Sequence, residues 1–95
     1  MNAAGRRTLD AIFQDPVRAD IRWAAVASLM RALGARLDEG SGSRIRVSLA
    51  GVRAVFHRPH PGPHLQKTTV KSVRRFLTSA GVTEGTIDGD DDAVP

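Results

Sequence analysis

The three histidines of the chain fall within one stretch, AVFHRPHPGPHL (residues 54–65), at the spacing His57-x2-His60-x3-His64, together with three of the five prolines. Three imidazoles match the ligand count of a catalytic three-histidine metal site. One or two of them could instead move protons near neutral pH, the range in which histidine alone among side chains ordinarily titrates. The plainest alternative is decoration of a stiff loop. Prolines between the histidines splay the rings, and no neighbouring carboxylate orients an imidazole from behind. We therefore expect no metal and no cofactor, which leaves acid–base chemistry to be weighed against the bland reading.

Charge narrows the substrate class. All fourteen lysines and arginines lie between Arg6 and Arg75, whereas five of the ten acidic residues (Glu84, Asp88, Asp90, Asp91 and Asp92) lie in the last dozen positions. Up to Val82, fourteen cations face five acids, a formal +9. A basic body of this kind favours a polyanionic partner, most often nucleic acid. The absence of cysteine excludes a disulfide framework and a thiolate metal site, and a reducing compartment, the cytoplasm, is expected. No apolar run reaches membrane-spanning length, and MNAAGRRTLD lacks the apolar core of a signal peptide, so no membrane partner is expected.

The elements that must position these groups follow from periodicity. Ninety-five residues suit a single domain, expected over residues 8–83. Residues 1–7 show no pattern and are expected to be loose. Thr8 is expected to cap a short helix to Gln14 carrying Leu9, Ile12 and Phe13. A second helix is predicted from Asp20 or Arg22 to Leu33, with Trp23 as a packing anchor and Gly34 as its left-handed cap. ARLDEG is a short strand candidate, and GSGS a turn. A third helix is predicted over Lys67 to Ala80, capped by Thr68 and closed by Gly81. Its Val70, Val73, Phe76, Leu77 and Ala80 face the core, while Lys71, Arg74 and Arg75 face water. Residues 84–95 read as an acidic disordered tail that aids solubility, the alternative being a segment that folds back on the arginines. The fold class is α+β: a two-layer sandwich of order α-α-β-β-β-α, with the helices on one face of a three-stranded antiparallel sheet.

The clearest β signal is RIRVSLAGVRAVFH, where Ile45, Val47 and Leu49 alternate with Arg44, Arg46 and Ser48, and Ala54 and Phe56 with Arg53 and His57. A hairpin closing at Ala50-Gly51 places Arg44 opposite His57 and Arg46 opposite Val55, with cross-strand Cβ atoms roughly 5 Å apart. Arg44, Arg46, Arg53 and His57 then share the solvent face, and the loop bearing His60 starts where His57 ends. RNA carries its own nucleophile, the 2′-hydroxyl, so its cleavage needs a base, an acid and cations on the phosphate rather than a metal. Imidazoles beside phosphate-binding arginines fit that chemistry. They fit phosphate-backbone binding alone equally well, with Lys71, Arg74 and Arg75 as further cations.

GSGSR before the second strand, the loop HRPHPGPHLQK and the closing TTVKSVRRFLTSAGV together resemble the HicA-type toxins of bacterial toxin–antitoxin pairs. The resemblance covers about Asp20 to Thr83. Thr69-Val70 stands where the family has Gly-Thr-Leu, RRFLTSAGV echoes its ending, and WAAVASLMRALGA is similar to its first core helix; the Thr8–Gln14 helix lies outside that core. The resemblance implies an mRNA interferase with a fold like the double-stranded-RNA-binding domain, acting as a metal-independent endoribonuclease and neutralised by a HicB-type antitoxin. It also marks a departure. The family's catalytic histidine follows a Gly-Ser pair, and here Gly42-Ser43 is followed by Arg44. His60 falls near the family's loop histidine. Two readings follow: His57 takes the base role with Arg44 on phosphate, or the protein is a non-catalytic RNA-binding module or a protein-interaction subunit.

Overall fold

The computed structural model describes residues 2–40, 42–60 and 62–83. Six elements follow one another: α1 (Ala3–Ile12), α2 (Trp23–Ala32), β1 (Arg36–Glu39), β2 (Arg44–Leu49), β3 (Val52–His57) and α3 (Lys67–Ser79). The strands form one antiparallel sheet in the order β1-β2-β3. The α+β class and the element order are those expected. The acidic segment 84–95, and Ser41 of the GSGS turn, lie outside the described residues.

The hairpin is built as its alternation requires. Arg44 pairs with His57, Arg46 with Val55, Ser48 with Arg53 and Leu49 with Val52. Ala50 and Gly51 form a two-residue connection with φ of 51° and 82°, the left-handed pair whose twist matches that of the strands. Ile45, Val47, Leu49 and Phe56 point inward and are buried. Against them pack Val26, Leu29 and Met30 of α2 and Val70, Val73, Phe76 and Leu77 of α3. Trp23 is the expected anchor: it lies 6.5 Å from the Phe56 ring, which meets Phe76 edge-on at 5.7 Å.

Three expectations change. α1 begins at Ala3, not Thr8, so residues 3–7 are helical rather than loose. The cap is Asn2, whose side chain accepts the Gly5 N–H at 2.8 Å, while the Thr8 hydroxyl donates back to the Ala4 carbonyl. Leu9 and Ile12 of α1 are fully buried, and the helix packs on α2 and α3, which explains its order: its stability comes from docking rather than from local periodicity. Gln14 lies beyond its end. α3 starts at Lys67, so Thr68 sits inside the first turn, where its carbonyl accepts the Ser72 hydroxyl, and Gln66 takes the cap position without a side-chain bond. Finally, Arg74 is half-buried and engaged with α1 rather than turned wholly to water. Its Nε and Nη2 donate to the carbonyls of Ile12 and Gln14, both at 2.9 Å, and its guanidinium lies 5.9 Å from the Phe13 ring centre.

Candidate nucleic-acid interface

Antiparallel pairing extends the hairpin's alternation to β1. Arg36 pairs with Ser48 and Asp38 with Arg46, so the outer face of the sheet carries Arg36, Asp38, Arg44, Arg46, Ser48, Arg53, Val55 and His57. Four arginines meet one carboxylate there, and all four are exposed. Arg36, Asp38, Arg46, Ser48, Arg53 and Val55 line a concavity of about 510 Å³. Arg36 escaped the sequence reading, although the alternation of Arg36, Leu37 and Asp38 was a signal: with Leu37 inward, Arg36 must face out.

His57 stands at the end of β3, where its rung with Arg44 joins this face to a second feature. The loop after β3 is anchored rather than merely stiffened by proline. Trp23 N–H donates to the Pro63 carbonyl at 3.0 Å, Leu65 N–H donates to the Ile21 carbonyl at 2.8 Å, and Arg22 and His64 form an isolated bridge between them. Leu65 is buried beneath. The loop thereby folds back toward α3, and His57, His60 and His64 all line one cleft of about 330 Å³, with Gln66 and Thr69 from the start of α3 on its wall. His64, with no role in the sequence reading, belongs to the same cleft as the two candidates.

The segment that holds the loop also carries a carboxylate, which lines a separate concavity with Arg18 and Arg22. Asp20 precedes the Ile21–Trp23 segment that binds the loop. Its carboxyl is held below the usual carboxylate range chiefly by a hydrogen bond from Arg18, with the His64 imidazole contributing a weaker favourable charge. Arg18 Nε and Nη2 reach the two Asp20 oxygens at 2.8 and 2.6 Å. Among the described residues no group of three or more His, Cys, Asp or Glu side chains is arranged to hold a metal ion.

The fold sorts the remaining cations. Arg58 pairs with Glu39, which also faces Arg31 at 3.8 Å, so this arginine is held within the structure. Arg74 is committed to the end of α1. Lys71 and Arg75 are exposed on α3, in the layer behind the sheet, and are not brought together with the outer-face arginines. Of the six predicted phosphate-binding cations, three, Arg44, Arg46 and Arg53, share one surface with His57. What that surface can do is hold an extended polyanion, with imidazoles at one end of it.

The chain matches the family model described as HicA toxin of bacterial toxin-antitoxin over residues 23–82. That span runs from the first residue of α2 past the Gly81 turn, so it includes the sheet, the histidine cleft and α3 and leaves α1 outside. No curated protein and no solved structure matches the chain.

Proposed function

The chain belongs to the HicA family of toxins from bacterial toxin–antitoxin pairs, and from that premise we propose that it is an mRNA-cleaving toxin restrained by a HicB-type antitoxin. The observation that carries this reading is the Arg44–His57 rung, which sets a guanidinium beside an imidazole at the mouth of a cleft holding two more imidazoles. Arg44, with Arg46 and Arg53 behind it, takes the phosphates. His57 or His60 removes the proton from a ribose 2′-hydroxyl, whose oxygen forms a bond to phosphorus as the bond to O5′ breaks. A second imidazole returns a proton to the departing oxygen. The products are a 2′,3′-cyclic phosphate and a 5′-hydroxyl, and Arg44 offsets the charge that builds on the phosphorane.

Purified protein is expected to cut a model mRNA with EDTA present, and His57→Ala to slow it by about a hundredfold or more. Undiminished cleavage by that variant removes His57 from the reaction. Arg44, standing where the resemblance places the family's catalytic histidine, favours a second reading in which the protein binds RNA without cutting it. Binding that weakens steeply with salt by counterion release, with no cyclic phosphate formed, selects that reading.

A further inference from the structure

Phosphate binding accounts for the arginines of the outer sheet face but not for what lies among them. Val55 sits between Arg46 and Arg53 and is 52% exposed, the one exposed large apolar side chain among the described residues. Asp38, paired with Arg46 in the ladder, sets one hydrogen-bond acceptor among the arginines. No phenylalanine or tryptophan ring offers bases a platform on this face: Trp23, Phe56 and Phe76 are buried, and Phe13 lies under Arg74. An apolar centre with arginines around it and one acceptor beside them is instead the anatomy of a protein interface, where arginine is enriched and anchors cluster near the middle.

We propose that the outer sheet face, centred on Val55 and rimmed by Arg36, Arg46 and Arg53, is the docking surface for an acidic, extended segment of the antitoxin protein. The proposal rests on the toxin–antitoxin pairing and not on RNA cleavage. Charge selects the partner's chemistry, because arginine binds carboxylate through paired N–H donors. An extended chain presents alternate residues to one side, so an apolar residue flanked by carboxylates meets Val55 and the arginines together. A segment seated here covers Arg46 and Arg53 and removes the phosphate contacts next to His57.

The test uses the full chain and a labelled peptide in which a leucine sits between two pairs of aspartates, with a uridine oligonucleotide as a second probe. The peptide is expected to bind and to be released by salt. Val55→Thr, which keeps a β-branched side chain at an exposed position, is expected to weaken the peptide by about threefold to tenfold and to leave oligonucleotide affinity unchanged. Replacing the peptide's leucine by serine should cost a similar factor and make binding indifferent to Val55→Thr. Unchanged peptide affinity in Val55→Thr, or an equal loss of oligonucleotide affinity, overturns the assignment. So does peptide binding that appears only after Asp88, Asp90, Asp91 and Asp92 are changed to Asn, which would make the chain's own acidic segment the occupant. No RNA is present in the peptide titration, so its failure leaves the ribonuclease reading standing, and loss of that reading leaves the peptide result standing.

Discussion

Arg74 and Arg46 carry the same guanidinium and lie in opposite layers of the molecule. On the helical side, Arg74 meets the open carbonyl end of α1 and spends its donors on Ile12 and Gln14. A helix leaves its last carbonyls without partners, so a cation arriving there becomes part of the scaffold. On the outer sheet face, ladder partners consume the backbone groups, and Arg46 is left exposed beside Val55. Arginine on a helix end is absorbed by the fold, and arginine on a paired strand is left for a partner. Net charge alone cannot make that distinction.

If the helical layer is scaffold, it should break first. Leu9→Ala, in the helix outside the family core, is expected to destabilise by about 3 kcal/mol in urea unfolding, because the side chain is fully buried. A loss under ~1 kcal/mol would mean that α1 is an appendage. Arg74→Ala is expected to cost about 2 kcal/mol by losing two charge-assisted bonds to α1, with the salt dependence of RNA binding unchanged. On the sheet side, Ala50→Asn should stabilise by about 1 kcal/mol in thermal unfolding, since φ of 51° strains alanine and suits asparagine at this turn position. Arg46→Ala should shift stability by no more than about 0.5 kcal/mol. Its effect should appear in filter binding, where the log–log salt slope for single-stranded RNA falls by about 0.7 for one lost phosphate contact. If Arg74→Ala lowered that slope and Arg46→Ala did not, the two layers would have to exchange roles.

Much of the fold is legible in the sequence, for local reasons. Alternation has a period of two, so a two-residue turn at Ala50-Gly51 leaves one register that keeps Ile45, Val47 and Phe56 on the same side. That register put Arg44 opposite His57. Gly34 and Gly81, at φ of 96° and 87°, ended α2 and α3 where expected. The start of the first helix is not legible because Asn2 and Ala3 to Arg7 carry no apolar stripe, while their order depends on Leu9 and Ile12 reaching α2 and α3. Thr68 reads as a cap because a hydroxyl before an apolar run fits both a cap and a first helical turn. The place of Arg74 is not legible because helical spacing does not reveal that another helix ends beside it.

By itself the sequence determined the α+β order, the hairpin register, the arginine–histidine rung and the resemblance of residues 20–83 to one toxin family, since each depends on neighbours a few residues apart. Tertiary structure decided which cations are free and which histidines meet. The bridge between Arg22 and His64, with the Trp23 and Leu65 bonds on either side, swings the proline-rich loop against the start of α3 and gathers His57, His60 and His64 into one cleft. Buried backbone donors and acceptors must find partners somewhere, and for this loop the partners lie in a segment far away in the chain.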